Sequence, residues 1–288
     1  VRVLVLGSDT PLGQALQEFL DGTGRHDVVT LSRAGCRWKS ERQAKKAVQR
    51  AACQMLVDLR ISATLDAGQT IPGRDIEACG WLAKACQRHG CAYLYLSSCS
   101  LFSGKLDRLY AEVDVPDCDH EPGQVLLEAE RAVADRCERH LILRLGPVFS
   151  HRRDNWLPQA MLQIQGGGAW VPGGHSVAGT PVAAGDAARV ISALLDQLSA
   201  GAEAWGIYHY ASADKVRAEE VAEVLLAAAS QFFEFDPGGP ELDALQGEQG
   251  RPGPALDCRK IRNTFAIKQV PWRDALTATV KQYFKSAQ

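Results

Sequence analysis

The alternation of strand and helix signals along this chain predicts an α/β fold built on a doubly wound parallel sheet. Three observations carry that expectation. Short apolar runs have strand length, apolar residues between them keep helical spacing, and a glycine-punctuated turn follows the first run. A chain of 288 residues is long enough for one large α/β unit with a smaller lobe.

The first run is Val3–Leu6, ended by Gly7, and Leu12, Leu16 and Leu20 follow at helical spacing. Val28–Leu31 predicts a second strand and Met55–Leu59 a third. Between them lies a basic helix whose Arg42, Lys45, Lys46 and Arg50 suit a solvated face. Ile76 to Arg88 reads as a helix that Gly90 stops, and Ala92–Leu96 is the fourth strand. Gln124 to Arg139 is a helix with apolar residues at 126, 129, 133 and 137, and Leu141–Leu145 is the fifth strand. Runs this short and apolar suit strands buried on both faces.

Beyond residue 150 the pattern loosens. Gly166-Gly167-Gly168 and Pro172-Gly173-Gly174 read as turns, Asp186–Leu198 as a helix, Ile207–Tyr210 as a strand and Ala218–Phe233 as a helix. Asp236–Pro254, rich in Gly, Pro and acids, reads as a mobile loop. Two short helices are expected near Cys258–Asn263 and Trp272–Phe284. The expected division is a Rossmann-type domain over 1–150, to which 178–211 return, and a smaller substrate-binding lobe from 151–177 and 212–288.

Composition excludes several function classes. A net charge of −2, from 32 basic and 34 acidic residues, gives no electrostatic case for nucleic acid or an anionic membrane. No stretch approaches the roughly 20 apolar residues of a membrane span, and the N-terminus lacks the features of a signal peptide. Nine cysteines include no C-x-x-C, and no His pair has zinc-ligand spacing, so no metal is expected. The odd count favours structural thiols and a cytoplasmic setting.

The turn Gly7-Ser8-Asp9-Thr10-Pro11-Leu12-Gly13 lies where a dinucleotide pyrophosphate approaches backbone N–H groups at a helix N-terminus. Gly7, Thr10, Leu12 and Gly13 are therefore cofactor-site candidates. Thr10 replaces the central glycine of the G-x-x-G-x-x-G form, and its hydroxyl is a phosphate donor or part of an ordinary turn. After the second strand come Ser32 and Arg33. An acidic residue there would hold a ribose 2′-hydroxyl, whereas Arg33 can meet a 2′-phosphate, which favours NADP over NAD; a surface arginine is the plain alternative.

Taken together the motifs resemble the dTDP-4-dehydrorhamnose reductase family of extended short-chain dehydrogenases/reductases. Tyr95-Leu96-Ser97-Ser98-Cys99-Ser100-Leu101-Phe102-Ser103-Gly104 is similar to the family's I-S-T-D-Y-V-F-D-G. Tyr110-Ala111-Glu112-Val113-Asp114-Val115-Pro116 resembles Y-x-E-x-D-x-P, and Leu143-Arg144-Leu145-Gly146-Pro147-Val148-Phe149 resembles L-R-x-x-x-V-Y. Gly179-Thr180-Pro181 with Asp186-Ala187-Ala188-Arg189, Gly206-Ile207-Tyr208-His209-Tyr210-Ala211, Arg251-Pro252, Leu256-Asp257 and Trp272-Arg273-Asp274-Ala275-Leu276 continue the series in order. The resemblance implies an NAD(P) site in the N-terminal domain and a nucleotide-sugar cleft beside it, with Ser98, Cys99, Asn155, Trp156 and Thr180 as substrate-side candidates.

The resemblance also implies a Tyr-x-x-x-Lys pair on one helix, the lysine charge favouring the phenolate and the tyrosine moving a proton at the substrate carbonyl. Counting in from both flanking motifs puts Pro122 at the tyrosine position and Leu126 at the lysine position. Ser98 keeps the serine/threonine position, and Tyr110, Cys118 and His120 lie in the loop before the altered helix. Asp58-Leu59-Arg60-Ile61 stands in place of the family's N-C-A-A, so that Arg60 either pairs with a cofactor phosphate or fills its pocket.

The function expected from these departures is a non-catalytic binding or regulatory protein, holding NADP(H), a nucleotide sugar or a partner protein. The alternatives are an active NAD(P)-dependent nucleotide-sugar reductase or epimerase with rewired acid–base groups, and a ligand-free interaction scaffold. A homodimer would form through helices 76–89 and 124–139. The apolar side of the first, Ile76, Cys79, Leu82 and Ala83, equally suits its own sheet.

Overall fold

Each apolar run of the first 145 residues becomes a strand, and the strands lie parallel. The computed structural model describes residues 1–66, 69–105, 108–166, 178–234 and 253–286. Strands β1 (Arg2–Leu6), β2 (Asp27–Leu31), β3 (Met55–Asp58), β4 (Ala92–Ser98) and β5 (His140–Leu145) join a later strand, β8 (Gly206–Tyr210), in one sheet ordered β2-β1-β3-β4-β5-β8. Every neighbouring pair is parallel. The chain steps from β1 to β2 on one side and to β3 on the other, so the switch point lies at the carboxyl ends of β1 and β3.

Helices cover both faces, as parallel strands require. α1 (Pro11–Thr23) packs with α7 (Ala184–Ser199), while α2 (Glu41–Ala51), α4 (Gly73–His89) and α5 (Glu121–Ala134) pack side by side. The strand residues Val3, Val5, Leu56, Val57, Leu96 and Leu143 are fully buried between these layers. Ile76, Cys79, Leu82 and Ala83 of α4 are likewise buried inside the subunit, so they offer no free face to a second copy.

A second, smaller cluster joins Phe149, Trp156, Leu157 and Met161 to Leu225 and Trp272. It is carried by α6 (Trp156–Gln165), α8 (Ala218–Ala229) and α10 (Trp272–Ser286), with α9 (Arg259–Phe265) on the main core. A two-stranded ribbon of β6 (Val148–Phe149) and β7 (Val182–Ala183) leads into it. All nine cysteines are free and buried. Among the described residues no helix is long and apolar enough to cross a membrane.

The structure departs from the expected elements at identifiable places. The altered helix, α5, starts at Glu121 because His120 caps it and Pro122 sits in its first turn, where a missing N–H costs nothing. It ends at Ala134, five residues short of the expectation, since residues 135–139 turn back to begin β5, with Tyr93 N donating to Arg139 O. α3 (Arg60–Asp66) and α6 have no counterpart among the expected helices. Asp58 begins the first by accepting from Arg60 N, and Asn155 caps the second. Gly167, Gly168, Trp170, Pro172–Gly174 and the stretch 236–252 lie outside the described residues.

Candidate functional site

The carboxyl end of β1 turns at Gly7 with φ +82°, a region open to glycine and costly for L side chains. Gly13 closes the same turn from the helix side. A Cβ there would lie 2.2 Å from Gly7 O and 2.9 Å from Ser8 Cα, so α1 and β1 approach as closely as backbone allows. Thr10 caps α1: its buried hydroxyl donates to Gly7 O at 2.7 Å and accepts from Gly13 N at 3.0 Å. The hydroxyl is thus committed to the turn and does not present itself to a phosphate. Among the described residues the Leu12 N–H has no acceptor, and it stands at the positive end of α1. The N–H groups of Gly7 and Ser8 donate to Leu31 O and that of Thr10 to Gly7 O, so an anion approaching this helix end would be met by Leu12.

Beside the turn lies Arg33, just past β2. Its backbone N–H donates to Asp9 Oδ1 at 2.6 Å and its Nε to Asp9 Oδ2 at 3.0 Å, while Nη2 reaches Asp154 Oδ2 at 3.1 Å. Burial pulls the guanidinium pKa down, but the hydrogen bonds it donates to the two carboxylates outweigh that and raise it. Burial also works against ionising Asp9, and the donors of Arg33 overcome it, lowering that pKa. Ser32 Oγ accepts from Gly35 N at 3.2 Å and holds the next turn.

Arg60, expected to pair with a cofactor phosphate or to fill its pocket, begins α3 beside the glycine turn, its backbone N 3.3 Å from where a Gly7 Cβ would lie. It is 3% exposed and folds back on Asp58, with Nε 2.9 Å from Oδ1 and Nη2 2.7 Å from Oδ2. Tyr93 Oη donates to the same carboxylate at 2.8 Å, and the Trp38 ring lies 5.4 Å from the guanidinium carbon. Burial would lower the arginine's pKa; the charge of Asp58 prevails and raises it. The pair is buried inside the protein, with Asp75 Oδ1 3.6 Å from Arg60 Nη1, a nitrogen that makes no hydrogen bond of its own.

A second group of candidates lies past β4, two strands from β1 in the same parallel sheet. Ser98 ends that strand, its Oγ accepting from Ser100 N at 3.2 Å and lying 3.1 Å from Ser100 Oγ. Ser100, His120 and Pro122 line an open cavity of about 470 Å³. His120 Nδ1 accepts from Gly123 N at 3.2 Å, and its Nε2 is buried in the wall. Leu126 is fully buried with Ala129, Val133 and Cys137 in the main core. Tyr110 stacks on Phe102 at 4.4 Å, and its hydroxyl donates to Asp117 at 3.4 Å. Cys118 is buried beside Gly123. None of these groups repeats the tyrosine–lysine geometry.

The remaining substrate-side candidates are buried. Asn155 gives Nδ2 to Val148 O at 3.0 Å and accepts from Ser150 N and Leu157 N. Trp156 packs edge-on against Phe149. Cys99 and Thr180 are 1% and 2% exposed, which leaves the hydroxyl of Ser100, not proposed from the sequence, as the polar group facing the cavity from that segment. Sequence reasoning misses Asp9 and Asp154 as well. Asp9 sits inside the glycine motif at a position the motif leaves unspecified, and Asp154 is 121 residues from its partner, beyond any local pattern.

A doubly wound sheet with a glycine turn at its switch point is the plan of the nucleotide-binding α/β proteins. The family is narrower. The profile of the RmlD substrate binding domain matches residues 1–285, and the chain belongs to that family. It is 23% identical over 287 residues to a dTDP-4-dehydrorhamnose reductase of Aggregatibacter actinomycetemcomitans, covering 96% of this chain and 97% of that one. Among solved structures it resembles the dTDP-4-dehydrorhamnose reductase of Clostridium acetobutylicum, with a TM-score of 0.78 at 15% identity over 98% of this chain and 99% of that one. The enzyme of the same name from Bacillus anthracis, in complex with NADP, gives 0.76 at 18% identity over the same shares.

Proposed function

We propose that the protein is an NAD(P)-dependent reductase of nucleotide-linked sugars that works without the tyrosine–lysine pair. Kinship over nearly the whole length is with reductases, which speaks for this alternative over the non-catalytic protein expected from the missing pair. The observation that carries it is the open cavity at the end of β4, with the Ser100 hydroxyl in its wall. The Leu12 N–H at the start of α1 would meet a dinucleotide pyrophosphate, Gly7 and Gly13 leaving room for its approach, with Ser32 and Arg33 at the adenosine side. The second hydrophobic cluster would carry the sugar-nucleotide lobe.

A bound nicotinamide would supply the hydride. The chain's part is to place the ketone and to hold a proton near its oxygen. Ser100, backed by Ser98 at 3.1 Å, is the hydroxyl that the end of β4 brings to the cavity wall. A serine does not release its proton near neutral pH, so the proton consumed by reduction enters from water in the cavity. A positioned general acid contributes about 10²–10⁴-fold. Turnover is therefore expected to fall that far below an ordinary rate of about 10 s⁻¹.

The second reading, a protein that holds these ligands without turning them over, is favoured by Pro122 and Leu126, which fill the two positions with helix-start and core residues. Oxidation of NADPH with dTDP- and UDP-linked 4-keto sugars, followed by absorbance at high enzyme concentration, separates the two. Slow ketone-dependent oxidation that weakens in Ser100→Ala supports the reductase. Saturable binding of both ligands with no product after many hours supports the holder.

A further inference from the structure

Arg33 is the side chain that the adenosine end of a dinucleotide would meet, and its guanidinium is already engaged. Asp9 takes the backbone N–H and Nε; Asp154 takes Nη2. The two carboxylates differ in origin. Asp9 belongs to the glycine turn itself, whereas Asp154 belongs to the segment between β6 and α6.

That segment is held independently of Arg33. Asn155, the next residue, is fixed by its three backbone hydrogen bonds, and Arg152 Nη2 is tied to Glu18 Oε1 on α1 at 2.5 Å. Asp154 sits at φ +63°, a left-handed conformation that Asp tolerates better than most residues. The fold therefore delivers a carboxylate to Arg33 and keeps it there.

We propose that Asp154 discriminates between dinucleotides by occupying the guanidinium edge of Arg33 that a 2′-phosphate would need. The inference rests on the reading that a dinucleotide binds at the glycine turn. A phosphate monoester is a dianion with three acceptor oxygens, and arginine binds it best through two parallel N–H donors. With Asp154 in place one of those donors is taken, and the incoming phosphate also meets a like charge. A dinucleotide ending in a plain 2′-hydroxyl meets neither obstacle. The residue thus works against the preference for NADP that Arg33 alone would give.

Titration of the full-length protein with NADPH and with NADH, by calorimetry or nicotinamide fluorescence, tests this directly. The readout is the ratio of the two dissociation constants in the natural protein, Asp154→Gly, Arg33→Ala and the double variant. Glycine removes both the charge and the acceptor and suits the left-handed backbone, so the loop is retained; melting curves check it. Asp154→Gly should shift the ratio about tenfold toward NADPH, a change of about 1.4 kcal/mol, and Arg33→Ala should abolish that shift in the double variant. An unchanged ratio in Asp154→Gly, with binding intact, overturns the inference alone. Failure of every variant to bind either dinucleotide overturns the inference together with the reading beneath it.

Discussion

The glycine turn and the start of α5 differ in the kind of feature each depends on. At the glycine turn the features are backbone features: a positive φ at Gly7, no room for a Cβ at Gly13, a capped helix N-terminus. At α5 the resemblance implies side-chain chemistry, a phenol and an ammonium, where the count from flanking motifs puts Pro122 and Leu126. The first kind is bound up with folding, because the same glycines that would admit a phosphate also let α1 seat on β1. The second kind is separable from folding. Proline in the first turn and leucine on the buried face make a sound helix and a filled core, so the chemistry can go while the architecture stays.

The largest effect expected from this contrast is at Leu126. Leu126→Lys would restore the family's residue type but bury a charge in a site packed with Ala129, Val133 and Cys137. A loss of about 3–5 kcal/mol is expected, the scale of an unpaired buried charge. Urea unfolding measures it, and a loss below about 1 kcal/mol would show that the site was still shaped for a lysine. Gly13→Ala comes next, because its methyl would collide with Gly7 O. Overpacking of this kind costs about 1–3 kcal/mol, and dinucleotide binding should fall with it. Stability lost without any loss of binding would separate the two roles assigned to the turn.

The third expectation uses pH and acts behind the altered end. His209 is fully buried, its Nδ1 3.0 Å from Tyr110 O, and burial followed by the charge of Arg144 pushes its pKa down to about 3. In the unfolded chain histidine titrates near about 6.5. Between those values the unfolded state carries the extra proton, so stability is whole above about pH 6.5 and falls as the pH drops toward 3. The slope is about 1.4 kcal/mol per pH unit. Denaturant midpoints measured from pH 7.5 to 4.5 should show it, and His209→Gln should flatten that part of the profile.

The strand segments, the glycine turn and the helix stop at Gly90 are legible because each rests on local signals: runs of Val and Leu, helical spacing, a residue that accepts positive φ. The assignment of 122 and 126 to the tyrosine and lysine positions rests on register counted from flanking motifs; the structure shows that both residues lie in α5. Reading them as the mark of a non-catalytic protein goes further than the family comparison supports, since a missing pair says what a site lacks and little of what else it does. Arg60 escapes a sequence reading because its partner, Asp58, is two residues away and has the look of a strand end. The clamp of Asp9 and Asp154 on Arg33 and the place of Ser100 in the cavity wall arise from tertiary packing, and no spacing rule reaches them.

The burial of every thiol gives the protein a built-in gauge of its own opening. Cys36 lies under the glycine turn and Cys118 against the start of the altered helix, both shielded from solvent. An alkylating reagent reaches either sulfur only when that neighbourhood loosens, so labelling rates report local free energies. Followed residue by residue with and without nucleotide, those rates would tell which half of the cleft tightens when a ligand arrives.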